Sequence, residues 1–116
     1  MKKIYHLSTC QTCKKIIAET RPGKDFMLQN IKEQAITSGQ LDEMKKLAGS
    51  YGALFTKRSM KFRAWKLQDK DLTEKDMRKL ILKEYTFLRR PVFIIGDQVF
   101  VGHSKAVVEA IKKAIK

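Results

Sequence analysis

The sequence predicts an α/β fold in which a four-stranded mixed sheet is flanked by helices. Its 116 residues, 43% hydrophobic and 32% charged, are typical of a single packed domain spanning residues 1–116. The chain opens in the order strand, helix, strand, which favours parallel pairing through a right-handed crossover. It closes with a hairpin, whose strands must be antiparallel, and an amphipathic helix. A mixed sheet satisfies both halves of the pattern.

The first elements are indicated by alternation and by turn residues. Residues 3–7 (KIYHL) alternate as a strand does, and residues 11–19 form a helix that Pro22-Gly23 ends. Residues 25–30 predict a second strand.

The middle of the chain is less regular. Residues 40–49 place apolar side chains at helical spacing and stop at a glycine, whereas residues 50–72 show no clear periodicity. Thr73 has the position of an N-cap for a helix through Glu84, with Leu80 and Ile81 buried.

The strongest local signal lies near the C-terminus. Residues 91–95 and 98–102 are rich in β-branched and aromatic side chains and flank the turn Gly96-Asp97, which predicts a hairpin. A last helix over 105–115 carries one apolar face. This order of elements is the thioredoxin-like layout.

The two cysteines of the chain, Cys10 and Cys13, stand where the first strand meets the first helix. A disulfide across so short a loop adds little stability. One CxxC pair does not complete a zinc site, and His6 and His103 do not have the spacing of zinc ligands. We therefore expect that the two cysteines have a redox role and bind no metal. A helix N-terminus lowers the pKa of a thiol, which makes Cys10 the nucleophile and Cys13 the resolving cysteine. The alternative is a pair of small residues packed under the sheet.

Arg90 and Pro91 stand just before the hairpin. Proline cannot donate to a strand ladder, so Pro91 favours a turn and is compatible with a cis bond that would hold Arg90 at a fixed place. The alternative is an ordinary surface arginine before a turn. His103 is interpreted as a turn residue ahead of the last helix.

Residues 57–66 combine five basic residues, two aromatic residues and no acidic residue. Nucleic-acid-binding proteins interleave such side chains, but we favour a solvated basic loop whose Phe62 and Trp65 pack into the core. The net charge of +13 favours anionic partners without choosing among them. No apolar run approaches the roughly 18 residues that span a bilayer, and no signal peptide is recognised, so we expect a monomeric cytoplasmic protein without a membrane contact.

Taken together, these segments resemble the arsenate reductase/Spx family over nearly the whole chain. The resemblance is carried by Cys10, the stretch Thr56-Lys57-Arg58-Ser59 with Phe62, the block Leu88-Arg89-Arg90-Pro91, and Val101-Gly102. It implies a four-stranded mixed sheet, a helical insertion around residues 35–85, and Pro91 in cis beside Cys10.

The two branches of the family differ in what they imply. The reductase branch binds its oxyanion with a cysteine and three arginines. In this sequence only one of the three arginine positions is matched, by Arg90. Thr56 stands at a second position, and Gly102 or His103 at the third. Arg58 could substitute only by reaching inward, so arsenate binding should be weak. The Spx branch is more similar in its CxxC, and there the disulfide is a switch in a protein that contacts the RNA polymerase α subunit.

Two functions follow from the sequence. In the first, the protein is a thiol–disulfide oxidoreductase that resembles arsenate reductase-like and glutaredoxin-like enzymes. It acts on a thiol or disulfide substrate, with Arg90 or Arg58 stabilising the thiolate or an anion. It needs no bound cofactor, and glutathione or thioredoxin supplies the electrons. In the alternative, it is an Spx-type redox-sensing transcriptional regulator that binds RNA polymerase.

Overall fold

A computed structural model describes all residues from 1 to 116 and confirms the α/β class. Two short 3₁₀ helices, Leu67–Asp69 and Tyr85–Phe87, supplement the regular elements. The strands and α-helices follow in the order β1 (Lys2–His6), α1 (Gln11–Thr20), β2 (Met27–Asn30), α2 (Ser38–Ala48), α3 (Met60–Ala64), α4 (Glu74–Lys83), β3 (Val92–Ile95), β4 (Gln98–Val101) and α5 (Lys105–Ile115).

The four strands form one mixed sheet in the order β2-β1-β3-β4. Strands β1 and β2 are parallel, with Ile4 opposite Leu28, whereas β1 and β3 are antiparallel, with Ile4 opposite Phe93. The hairpin of β3 and β4 is antiparallel as predicted. The expected thioredoxin-like arrangement is therefore present, with the buried strands β1 and β3 at its centre.

The chain divides into two compact units. The first comprises Met1–Ala35 and Arg90–Lys116, and the second comprises Ile36–Arg89, close to the span of the expected helical insertion. That residues 1–116 form a single domain stays a prediction. No helix combines the length and the apolar character needed to cross a membrane.

The first unit has its hydrophobic core between the sheet and the two helices α1 and α5. The rings of Phe26 and Phe93 meet edge to face with their centroids 6.4 Å apart. Burial of this apolar surface provides the main stabilisation of the unit. The buried members of the core are Ile4, Ile16, Phe26, Phe93, Val108 and Ile111.

The helices of the second unit are stabilised by N-terminal caps and by an ion pair between α2 and α4. Thr37 and Thr73 each form a reciprocal capping box, at the N-termini of α2 and α4. Asp42 on α2 accepts hydrogen bonds from the guanidinium of Arg78 on α4, at 2.9 and 3.2 Å. The capping role predicted for Thr73 is confirmed.

The segment 50–72 differs from the expectation of an irregular loop. It contains α3 and a 3₁₀ helix, and the Ser59 hydroxyl caps α3 by accepting a hydrogen bond from the Lys61 amide at 3.1 Å. Phe62 packs edge to face on Phe55, and Trp65 packs in the same way on Phe87, at centroid distances of 6.3 and 5.5 Å. The two aromatic side chains therefore pack against the buried rings of Phe55 and Phe87, but each remains half-buried. Their packing, together with the Ser59 cap, accounts for a helix that the local pattern did not indicate.

Smaller differences concern boundaries and burial. Helix α2 begins at Ser38 rather than at residue 40, because the capping box at Thr37 starts it earlier. Leu80 is only half-buried, against the expectation that it lies in the core with the fully buried Ile81. Its position in α4 places it at the edge of the buried face, beside a surface cleft.

Candidate active site

The candidate site is built at the junction of β1 and α1, inside the first unit. The chain leaves β1, turns at Ser8-Thr9, and reaches Cys10, which is the N-cap of α1. The Cys10 amide donates a hydrogen bond to the carbonyl of Leu7 at 2.9 Å. Cys10 is half-exposed, whereas Cys13, one helical turn further on, is fully buried. The junction therefore presents one accessible thiol backed by an inaccessible one.

Asn30, at the end of β2, braces the turn before Cys10. Its side-chain amide donates to the Ser8 hydroxyl at 2.8 Å, and its carbonyl oxygen accepts from the Ser8 amide at 3.4 Å and the Lys32 amide at 3.3 Å. Asn30 was not among the residues expected at the site. An asparagine at the end of a strand was a local sign of a turn, but its reach to residue 8 depends on the pairing of β1 with β2.

The environment of Cys10 favours its thiolate. Burial works to raise the pKa of Cys10. This is outweighed by hydrogen bonds from the backbone and thiol of Cys13, by the positive charge of Arg90 and by the backbone of Thr12, so the pKa lies below its ordinary value. The backbone contribution comes from the first turn of α1, whose amides have no partner within the helix.

The environment of Cys13 has the opposite effect. Burial raises the pKa of Cys13 to about 11, and the hydrogen bond to Cys10 and the negative charge of Cys10 act in the same direction. The backbone of Leu7 and the charge of Arg90 oppose this rise without cancelling it. In the reduced protein at neutral pH, Cys13 is therefore the protonated partner that donates to Cys10.

Arg90 and Pro91 join the cysteines in this unit. The Arg90-Pro91 bond is cis, as the family resemblance implies, and the Pro91 carbonyl accepts a hydrogen bond from the Gly102 amide at 3.0 Å. The Arg90 guanidinium favours the ionised form of both thiols, and its Nη1 is buried without a hydrogen-bond partner. The adjacent Arg89 belongs to the second unit, where it donates to the Phe55 carbonyl at 3.2 Å.

The remaining sequence candidates are placed elsewhere. Arg58 is an exposed residue of the second unit, and its backbone amide donates to the Thr56 hydroxyl at 3.2 Å. Its role as an anion-stabilising residue stays a prediction. His103 is exposed and directly precedes Ser104, the N-cap of α5, which agrees with a turn role. No group of three or more His, Cys, Asp or Glu residues is arranged to hold a metal ion.

Solved structures with the same fold come from several bacteria. A protein described as YffB superposes with a TM-score of 0.82 at 22% identity, and all of each chain is covered. An arsenate reductase from Vibrio cholerae gives 0.76 at 16% identity, covering 96% of this chain and 95% of the other. An arsenate reductase (ArsC) related protein from Brucella melitensis gives 0.70 at 24% identity, covering 94% of this chain and 92% of the other. At these identities the likeness establishes the fold.

Sequence comparison provides evidence on the family of the chain as well as on its fold. No curated protein matches the chain. The family model of the ArsC family, however, matches residues 5–111, a span that includes both cysteines, Arg90 and Pro91. That match and the Cys10–Cys13 pair support a thiol-based redox function. The chain belongs to the ArsC family.

Proposed function

We propose that the protein is a thiol–disulfide oxidoreductase in which Cys10 is the nucleophile and Cys13 the resolving cysteine. The observation that carries the proposal is the contrast between the two thiols. Cys10 is accessible with a lowered pKa, whereas Cys13 is buried with a pKa raised to about 11. A nucleophile must be ionised and reachable, whereas a resolving thiol must wait until the first bond has formed.

In the first step the Cys10 thiolate attacks one sulfur of a substrate disulfide. A bond forms between Cys10 and that sulfur, and the other half of the substrate leaves as a thiolate that takes a proton from water. The Arg90 charge and the amides at the start of α1 stabilise the attacking thiolate. The product is a mixed disulfide on Cys10.

In the second step the sulfur of Cys13 attacks Cys10. Once Cys10 is in a mixed disulfide it carries no negative charge, so one of the causes that raise the pKa of Cys13 is removed and its proton is lost more readily. Closure of the Cys10–Cys13 disulfide releases the second half of the substrate as a thiol. The substrate disulfide has then gained two electrons, and the protein has lost two.

Return to the dithiol requires a thiol donor, for which glutathione or thioredoxin is the expected class in the cytoplasm. Attack by a first donor thiolate on the Cys10 sulfur releases Cys13, and attack by a second donor thiol group on the resulting mixed disulfide releases Cys10 and leaves the donor as its disulfide. No bound cofactor is needed for this cycle, because both electrons are carried by the sulfur atoms.

Trapping of the mixed disulfide tests the proposal. We expect Cys13→Ala, incubated with oxidised glutathione, to accumulate one glutathione per chain on Cys10, as read by intact-protein mass spectrometry. Wild type should instead form the internal disulfide, and Cys10→Ala should remain unmodified. Modification of Cys13 in the Cys10→Ala variant at the rate seen for Cys10 would contradict the assignment of the nucleophile.

A second candidate function uses the same disulfide as a switch in a regulator that binds RNA polymerase. It is compatible with the net charge of +13, which favours anionic partners such as DNA without choosing among them. Steady-state reduction of a disulfide substrate with a glutathione or thioredoxin system supports the enzyme. Redox-dependent retention on RNA polymerase without such turnover supports the regulator.

A further inference from the structure

A second surface feature, independent of the cysteines, lies within the second unit. Residues around α3 line an open cleft of about 750 Å³. Three cationic side chains line it, those of Lys57, Arg58 and Arg63, and no carboxylate does. We call this feature the α3 cleft.

The cations of the α3 cleft are not neutralised by the protein itself. The salt bridges of the chain involve none of Lys57, Arg58 and Arg63. No carboxylate of the chain lies within salt-bridge distance of these three side chains. Unpaired positive charges gathered in a concave surface attract an anionic ligand more strongly than the same charges spread over a convex one.

The α3 cleft also has an apolar component. Met60, the first residue of α3, is 90% exposed and lines the cleft together with Phe62. An exposed methionine adapts its shape to different apolar partners and is common on surfaces that bind peptides. A ligand that fits this surface therefore carries apolar groups as well as negative charge.

The aromatic residues of the segment argue against single-stranded nucleic acid. Binding of unpaired bases relies on exposed aromatic faces on which the bases stack. Trp65 and Phe62 are instead half-buried and pack edge to face on Phe87 and Phe55. The cleft thus offers cations and an exposed thioether, whereas its one aromatic ring, that of Phe62, is already half covered by Phe55.

From these observations we propose that the α3 cleft binds an acidic peptide segment of a protein partner, one in which Glu or Asp residues alternate with apolar residues. The carboxylates pair with Lys57, Arg58 and Arg63, and an apolar side chain covers Met60. Charge complementarity of this kind sets the choice of partner and the association rate. The proposal does not depend on the redox function, because no residue of it belongs to the unit that holds the cysteines.

Titration with a synthetic probe tests the proposal. The probe is a short peptide of glutamate with interspersed leucine, and the readout is the fluorescence of Trp65, the only tryptophan of the chain, which lies in the same segment. We expect saturable binding that weakens as salt is raised. An all-glutamate peptide of equal length should bind several-fold less tightly, because it leaves Met60 uncovered.

Three variants locate the binding surface. The double variant Lys57→Glu/Arg63→Glu should weaken peptide binding at least about tenfold, and Met60→Ser should abolish the advantage of the leucine-containing peptide. Lys105→Glu/Lys116→Glu is the control, because it changes the net charge by the same amount at exposed residues of the other unit. Circular dichroism checks that each variant is folded, and trapping of glutathione on Cys10 reports the redox function separately.

Several results would overturn the proposal. Equal weakening by the control pair would mean that the peptide responds to overall charge. If binding of the peptide does not saturate at low salt, the cleft is not a specific binding site for it. Tighter binding of a DNA duplex than of the peptide at the same salt concentration, lost in Lys57→Glu/Arg63→Glu, would assign the cleft to nucleic acid instead.

Discussion

At the scale of single residues, the proposed chemistry depends on a difference between two thiols that are three positions apart. Cys10 caps α1 and is half-exposed, whereas Cys13 is sealed in the core of the same unit. Burial raises the pKa of both thiols, and the charge of Arg90 lowers both. The difference arises because burial dominates at Cys13, whereas at Cys10 it is outweighed by hydrogen bonds from the first turn of α1 and from the Cys13 thiol, together with Arg90.

The first prediction concerns the order of alkylation. Cys10 should react with iodoacetamide before Cys13, and the onset of its reaction should fall at lower pH than for an ordinary thiol, because a lowered pKa means that thiolate forms earlier as pH rises. While Cys10 is unmodified, Cys13 should react much more slowly at neutral pH, since it is buried and its pKa is raised to about 11. Mass-spectrometric mapping across a pH series measures both. Earlier labelling of Cys13 would reverse the roles.

The second prediction separates Arg90 from its neighbour. Arg90→Ala should raise the pKa of Cys10, because it removes a positive charge that favours the thiolate, and should slow alkylation at neutral pH. Arg89→Ala is the matched control, because it removes the same charge from the adjacent residue, whose guanidinium donates to the Phe55 carbonyl, whereas Arg90 lowers the pKa of both cysteines. Thiolate absorbance as a function of pH is the measurement, and Arg90→Lys should restore much of the effect.

Equal shifts in the two alanine variants would mean that diffuse positive charge, rather than Arg90, tunes the site. The fold should tolerate the loss of Arg90, since its Nη1 is buried without a partner and no hydrogen bond is broken at that atom.

At the scale of elements, prediction from sequence succeeded where one local pattern decides the structure. The hairpin has a glycine turn between two β-branched runs, and α5 spans Lys105–Ile115 as its apolar face indicated. Helix α3 was missed because its five residues are too short to show a period. It depends instead on Ser59 as a cap and on aromatic packing against residues distant in sequence.

The same limit applies to the site. A CxxC at a strand–helix junction made both cysteines candidates from the sequence alone, because the helix N-terminus is a local feature. The brace formed by Asn30 requires the parallel pairing of β1 and β2, which places residue 30 opposite His6. A non-local contact of that kind has no signature in the residues around it.

The third prediction concerns the end of α1. Arg21 adopts a left-handed conformation, with φ of 50°, and its amide donates to the Ile17 carbonyl. Glycine adopts this conformation without the steric cost that a side chain brings, so Arg21→Gly should raise the free energy of unfolding by about 0.5–1 kcal/mol. Urea denaturation measures it. Lys15→Gly, inside the same helix, is the control and should lower stability by about 1 kcal/mol.

At the scale of the whole molecule, the chain has 25 basic and 12 acidic residues, a net charge of +13 that attracts anions. Long-range attraction raises the concentration of anionic ligands near the protein, but it does not distinguish a phosphate from a carboxylate. Selectivity must come from local arrangements. The α3 cleft and the surroundings of Cys10 offer two different ones, the first with several unpaired cations and the second with a thiolate and Arg90.

The last prediction follows from this distinction and concerns arsenate. Tight binding of a compact oxyanion requires several guanidinium groups that converge on one point. The family resemblance implies three arginine positions, and in this chain only position 90 holds an arginine. Gly102 has a φ of 94°, which disfavours an arginine side chain there, and His103 is exposed. We therefore expect arsenate reduction well below about 1 s⁻¹, the lower end of ordinary enzyme turnover, in a coupled assay with glutathione or thioredoxin.

The same preparation should reduce a disulfide substrate, which serves as the positive control. Arsenate turnover at or above that rate would show that another cation, such as Arg58, completes the oxyanion site, and loss of that turnover in Arg58→Ala would identify it.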